Sequence, residues 1–236
     1  MTTPVSKIKE TVRKKTPKTL AMSTLAGLLA ACNSDSETTA VVSPVAPIVP
    51  VITNLTGAVI KGPAQDMIVG VDIDGDGSVD GPTTLTSETG SYSIASSNPN
   101  ATIIAVSGPN TIDTSSGQPL LGVTLKAPPL TQEERDSGMQ VAVTPVSTIM
   151  EASPDIEPAQ LAIAMGIPST AADGTPIDIR TFNPFAEGAD PAAALAAEKA
   201  AQQVMATVQA VKSAAEGAGM SVEAAFEQAM SSVAEV

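Results

Sequence analysis

Residues 66–85 read DMIVGVDIDGDGSVDGPTTL, in which two β-rich runs flank a loop of aspartates and glycines. The run before the loop is apolar, and the run after it is rich in threonine. An Asp-Gly pair between two such runs is a strong short-range signal for a β-hairpin. We therefore expect two antiparallel strands here, joined by an acidic turn.

The aspartates of this loop follow the spacing of the first nine positions of a calcium-binding loop. The candidate metal ligands are Asp72, Asp74, Asp76, Ser78 and Asp80. Calcium binds six to eight hard oxygen atoms, and a glycine at position six, here Gly77, allows the chain to curl around an ion. Position twelve is Thr83 instead of the glutamate of an EF-hand, so Asp66, Glu88, a carbonyl group or water would have to supply missing ligands. We predict a structural Ca²⁺ site on a hairpin, with a bare polar turn as the alternative.

The runs on both sides of this hairpin have the same character. Residues 55–126 contain short β-rich runs separated by Gly, Pro, Asn and Asp, a pattern typical of a small antiparallel sandwich. We therefore predict a β-sandwich with an Asp-rich loop over residues 54–128. The expected core residues are Val59, Ile68, Val69, Val71, Leu85, Tyr92, Ile94, Ile103, Ile104, Val106, Val123 and Leu125.

The pattern becomes helical from Thr144, which is a candidate N-cap followed by a proline at the first helical position. Further helices are predicted in PAQLAIAMG, from Asp190-Pro191 to about Glu216, and after Ser221. The predicted fold class is α+β in two domains, a small β-sandwich followed by a small α-helical bundle. Residues 129–143 are the expected linker, and residues 144–236 are the expected helical domain.

The N-terminal part of the chain has the features of a secretion signal. Six of the 12 Lys and Arg residues precede residue 20, and the apolar stretch LAMSTLAGLLAA follows them. This stretch has the length of a signal-peptide core and is too short to span a bilayer. It ends in Leu29-Ala30-Ala31-Cys32, which resembles the lipobox of bacterial lipoproteins.

The lipobox resemblance implies a signal peptide over residues 1–31 and lipidation of Cys32, the only cysteine. A plain signal peptide with an incidental cysteine is the alternative. The residue after the cysteine is Asn33 and not aspartate, which implies the outer membrane of a Gram-negative cell, with a periplasmic or surface-facing orientation. Residues 32–53 contain three prolines and are expected to form a stiff tether.

The composition excludes several classes of function. The chain has 25 acidic and 12 basic residues, a formal charge of −13, so we expect no nucleic-acid binding. It has no histidine, which removes the usual catalytic triads and histidine-based metal sites. No phosphate-binding glycine loop is present. We therefore expect no enzymatic activity.

Residues 56–94, TGAVIKGPAQDMIVGVDIDGDGSVDGPTTLTSETGSYSI, resemble the Ig-like or prealbumin-like β-sandwich modules of large proteobacterial surface proteins and adhesins. The match is best at residues 90–94, GSYSI. The helical part resembles the tail that often follows such modules. These resemblances imply a fold and an extracellular setting, but no activity.

The expected function is that of a non-catalytic, lipid-anchored envelope or cell-surface protein with a calcium-stabilised β-sandwich. Such a protein would serve adhesion, envelope structure or the binding of a protein or polysaccharide partner. The alternative is a lipoprotein that binds a small ligand or polysaccharide between its β and α domains. An apolar cleft lined by Phe182, Phe185 and Met165 would favour this alternative.

Overall fold

The computed structural model describes residues 52–234, and the predictions on the signal peptide and on Cys32 lie outside these residues. All described residues fall in one compact unit. The strands are β1 (Thr53–Val59), β2 (Ala64–Asp72), β3 (Asp80–Leu85), β4 (Ser91–Ser96), β5 (Thr102–Asp113), β6 (Gln118–Pro119), β7 (Thr124–Ala127) and β8 (Val141–Val143). The helices are α1 (Gln132–Asp136), α2 (Pro145–Ala152), α3 (Pro158–Ala164), α4 (Pro191–Gly217) and α5 (Val222–Ala234).

The strands form two sheets, and a long helix follows them, so the α+β class is confirmed at this level. The first sheet has the order β4-β1-β8, and the second has the order β3-β2-β5-β6, with β7 also paired to β5. All strand pairs are antiparallel except β1 with β8. The description of the two sheets as a sandwich stays a prediction, as do the domain boundaries.

Both sheets and most helices contribute side chains to one hydrophobic cluster. From the sheets it contains Leu55, Val59, Tyr92, Ile94, Met67, Val69, Val71, Ile103, Leu125, Val141 and Val143, among others. From the helices it contains Val146, Ile149, Met150, Val204, Met205, Val208, Phe226 and Met230, among others. Burial of apolar surface shared between strands and helices is therefore the main force that holds the two parts together.

The prediction that Leu85 lies in the core is wrong. Leu85 is 58% exposed because it ends the edge strand β3 and pairs with Ile68 on the face of the sheet turned away from the cluster. Ile68 and its other neighbour, Val106, are only half-buried for the same reason. The other nine expected core residues are buried.

The predicted linker, residues 129–143, contains a helix and a strand. Strand β8 is fully buried and lies parallel to β1, with Gly57 opposite Val141. A side chain at position 57 would collide with the Val141 carbonyl oxygen and the Tyr92 hydroxyl group. Glycine at this position is therefore what allows β4, β1 and β8 to approach one another.

An ion-pair network joins helix α1 to the segment that follows α3. The Arg180 side chain donates to Glu134 Oε1 at 2.5 Å and to Asp178 Oδ2 at 2.6 Å. Burial alone would raise the pKa of Glu134, but hydrogen bonds from Arg180 and Thr131 outweigh it and lower the pKa below the ordinary value. The Arg180 carbonyl oxygen also accepts a hydrogen bond from Ala142, so this network also holds the segment beside β8.

Helix α2 begins as predicted, with Thr144 as its N-cap and a proline at its first position. It covers the free edge of β7 through side-chain hydroxyl groups. Ser147 Oγ donates to the Lys126 carbonyl oxygen at 2.7 Å, and Lys126 N donates to Thr148 Oγ1 at 2.9 Å. The hydroxyl groups thus take the place of a neighbouring strand and satisfy backbone groups that an edge would leave exposed.

Helix α4 starts where the sequence predicts, because the Asp190 carboxylate accepts a hydrogen bond from Ala193 N at 2.8 Å. It packs against α5 and α2, and its buried side chains are mostly small. Within residues 52–234, no helix has the length and apolar character that a bilayer crossing requires.

Candidate metal centre

The Asp-rich loop connects β2 to β3 and is organised around Asp72, the last residue of β2. Asp72 is only 6% exposed. Its Oδ1 atom accepts a hydrogen bond from Gly75 N at 2.7 Å, and its Oδ2 atom accepts one from Gly77 N at 2.9 Å. Gly75 and Gly77 have φ angles of 79° and 86°, which glycine adopts at no steric cost. These two glycines allow the loop to curl back over the carboxylate.

Three carboxylates converge in this loop. One oxygen atom each from Asp72, Asp74 and Asp80 lies within 4.8 Å of the other two. Two oxygens bound to one Ca²⁺ can be about 5 Å apart at most, which is twice the usual bond length. Asp80 is held in place because its Oδ2 atom accepts a hydrogen bond from Ile73 N at 2.8 Å. The three residues form an acidic group that can hold a metal ion, and carboxylate oxygens suit hard cations.

The two other predicted ligands, Asp76 and Ser78, lie in the same loop, and the Asp76 carboxylate does not converge with the three others. The Asp76 Oδ1 atom accepts a hydrogen bond from Ser78 N at 2.8 Å, and both residues are exposed. Their role as ligands stays a prediction.

Asp66 and Glu88, suggested above as sources of missing ligands, are too far from the loop. Asp66 precedes Asp72 by six positions on β2, a distance of about 20 Å at the usual rise of a strand. The Glu88 carbonyl oxygen accepts a hydrogen bond from Thr114, just beyond the end of β5 that pairs with the start of β2. Neither carboxylate can therefore complete the ligand set of the loop.

A cleft of about 410 Å³ opens beside the loop and is bordered by β5, β7, α2 and α5. Its lining includes Thr102, which pairs with Asp72 across β5 and β2. Thr102 Oγ1 donates a hydrogen bond to Glu151 Oε1 at 2.6 Å, so helix α2 is linked directly to the strand that flanks the loop. Lys126 is the only basic residue in this lining.

The apolar cleft that the sequence suggested does not contain its three expected residues together. Phe182 lines a cavity of about 20 Å³, whose lining includes neither Phe185 nor Met165. This volume has room for about one water molecule. Phe185 is 42% exposed, and Met165 packs against the main cluster.

Sequence reasoning missed a second polar cleft, of about 330 Å³, at the other end of β5. It brings together Lys61, Asp113 and Glu198, which are widely separated along the chain. Lys61 Nζ lies 3.2 Å from Asp113 Oδ2. No local motif marks these residues, because only the folded chain places them side by side.

Comparison of the chain with protein-family models, with curated proteins and with solved structures found no match. The resemblances described above therefore rest on the quoted residues. The geometry of the loop between β2 and β3 is the starting point for a functional proposal.

Proposed function

We propose that this chain is a non-catalytic, lipid-anchored protein of the bacterial envelope or cell surface, in which a calcium ion stabilises a β-sandwich. The observation that carries the proposal is the convergence of Asp72, Asp74 and Asp80 at the end of β2. Three carboxylates this close repel one another, so a bound cation would stabilise the folded loop. A stabilising ion in an exposed hairpin suits a protein that works outside the cytoplasm.

Calcium fits this loop better than magnesium. Calcium accepts six to eight oxygen ligands in irregular arrangements, whereas magnesium requires a near-ideal octahedron with bonds of about 2.0–2.1 Å. The loop supplies three carboxylates with unequal exposure, and loop carbonyl groups and water would supply the remaining ligands. We expect the weak affinity of extracellular modules, with a Kd of about 10⁻⁴–10⁻³ M.

One further observation supports the sandwich, and another supports the surface setting. The inward-facing residues of both sheets share one cluster, as the two sheets of a sandwich would. The lipobox-like sequence before Cys32 would attach the chain to the outer membrane, and the Pro-rich residues after it would hold the folded part away from the lipid. Adhesion, envelope structure and partner binding are all consistent with this arrangement.

Isothermal titration calorimetry on the full-length chain tests the ion. We expect one Ca²⁺ per chain, weaker binding of Mg²⁺, and loss of Ca²⁺ binding in Asp80→Asn. No saturable heat with Ca²⁺ up to about ten times the expected upper Kd would refute the calcium site. The anchor is tested separately by labelling cells with a fatty acid, where wild type should incorporate label and Cys32→Ser should not.

A second candidate function, the binding of a small ligand or polysaccharide, is favoured by the 410 Å³ cleft beside the loop. The cleft lies between strands and helices and offers hydroxyl groups, carboxylates and one ammonium group. NMR titration with soluble saccharides, with Thr102→Val as the variant, tests it. Saturable chemical-shift changes in wild type that are weaker in Thr102→Val would support this function. Their absence would leave the structural role as the remaining proposal.

A further inference from the structure

The second polar cleft lies where two turns of the β part meet helix α4. Lys61 comes from the turn between β1 and β2, Ser115 and Ser116 come from the turn between β5 and β6, and Glu198 and Gln202 come from α4. Its volume of about 330 Å³ corresponds to about ten water molecules at their share of liquid volume. The cleft thus has room for a small organic molecule and is lined mainly by polar side chains.

Asp113 in this cleft already has its partners. The residue is 4% exposed, and its Oδ2 atom lies 3.2 Å from Lys61 Nζ. Its Oδ1 atom accepts hydrogen bonds from Ser115 N at 2.9 Å and from Ser116 N at 3.3 Å. The charges of Lys61 and Asp113 cancel, so this pair does not demand a further ion.

Glu198 differs from Asp113 both in its burial and in its lack of partners. It is half-buried in the wall of the cleft, and within residues 52–234 its carboxylate has neither a hydrogen bond nor an ion pair. Burial and the charge of Asp113 raise the pKa of Glu198, and Lys61 only partly opposes them. A carboxylate that is partly removed from water without a donor costs free energy, which a ligand with N–H donors and a positive charge would recover.

We propose that this cleft binds a small molecule with a primary ammonium group, which donates hydrogen bonds to the Glu198 carboxylate. The cleft carries one uncompensated negative charge, so a monocation balances it, whereas a divalent cation or an anion would not. Gln202 and the hydroxyl groups of Ser115 and Ser116 lie in the same lining and can bind hydroxyl or carbonyl groups of the ligand. This proposal does not depend on the calcium site, which lies at the other end of β5.

The test is an NMR titration of the full-length, ¹⁵N-labelled chain with n-butylammonium chloride near pH 7. Tetramethylammonium chloride is the matched ligand control, because it has the same charge but no N–H donor. Glu198→Gln removes the charge and keeps the shape of the side chain. Glu187→Gln, on the exposed surface, controls for the change in net charge.

We expect saturable shifts of the Ser115, Ser116 and Gln202 signals with a Kd on the order of 1–10 mM, typical of a ligand with few atoms. Affinity should fall at least tenfold in Glu198→Gln, stay unchanged in Glu187→Gln, and be at least tenfold weaker for tetramethylammonium. Binding should also weaken as the pH is lowered and Glu198 becomes protonated. Absence of saturation, equal affinity in Glu198→Gln, or equal affinity for tetramethylammonium would each overturn the proposal.

Discussion

Calcium should raise the melting temperature of the chain, and Asp74→Asn should abolish most of this rise while Asp76→Asn should not. The two variants remove the same charge from the same loop. Asp74 belongs to the converging carboxylate group and Asp76 does not. Each of the two carboxylates accepts one backbone hydrogen bond in the loop, Asp74 from Asp76 N at 3.2 Å and Asp76 from Ser78 N at 2.8 Å. Comparison of the two variants therefore separates the loss of a metal-binding carboxylate from the general effect of removing negative charge near a cation.

The magnitude follows from mass action. With a Kd of about 1 mM, 10 mM Ca²⁺ stabilises the folded state by about 1.4 kcal/mol. In a domain of this size that corresponds to a rise of about 3–6 °C. If Asp74→Asn weakens binding tenfold, the same Ca²⁺ concentration gives about 0.4 kcal/mol, or about 1–2 °C.

Circular dichroism at 222 nm, in EDTA and in 10 mM Ca²⁺, measures these midpoints on the full-length chain. Equal midpoints for wild type in EDTA and in Ca²⁺ would refute the ion site and leave a polar turn. Loss of the rise in both variants would instead show that Asp76 is also a ligand, as the spacing of the sequence predicts. An equal rise in wild type and Asp74→Asn would exclude Asp74 from the site.

Three further predictions concern stability. Gly57→Ala should lower the free energy of unfolding by about 3 kcal/mol, because the added methyl group collides with the backbone of Val141. Gly108→Ala, where the nearest atom to the added methyl group is 3.7 Å away, should change it by less than about 1 kcal/mol. Urea unfolding measures both values. Arg180→Ala should lower the free energy of unfolding by about 1–2 kcal/mol at pH 7. This loss should shrink as the pH falls below 4.5, because folding lowers the pKa of Glu134 and its ion pair with Arg180 is lost when the carboxylate becomes protonated. An equal loss at pH 3 would contradict this. Glu198→Gln should be more stable than wild type at pH 7 and equal to it well below pH 4.5, because the raised pKa of Glu198 means that its deprotonation destabilises the folded state as the pH rises. Thermal melts over this pH range should show that the difference in stability shrinks as the pH falls. A constant difference would exclude deprotonation of Glu198 as its cause.

Local patterns in the sequence predicted most of the secondary structure. The hairpin around the Asp-rich loop, the cap at Thr144 and the start of α4 at Asp190 all depend on residues that are close in sequence. The same holds for the Asp72 group, whose three members fall within nine positions. Short-range turn and capping chemistry determines these features, so the sequence alone is sufficient to find them.

Features that depend on distant pairing were not predicted. Strand β8 has only three residues, too few for a periodic signal, and its partner is the first strand of the sheet. Leu85 fits an apolar pattern, but its exposure depends on the register of an edge strand. Glu198 lies on a helix with no motif around it, and only tertiary packing places it beside Asp113. Each of these depends on long-range geometry.

The position of β1 determines how the fold would respond to mechanical force. Residues before Thr53 lead directly into this strand, which is paired to β4 on one side and to β8 on the other. If the chain is anchored on its N-terminal side, a pull along β1 against the rest of the fold would load the hydrogen bonds of both pairs in shear. Such bonds must break together instead of one after another, so the middle strand is a resistant point of attachment.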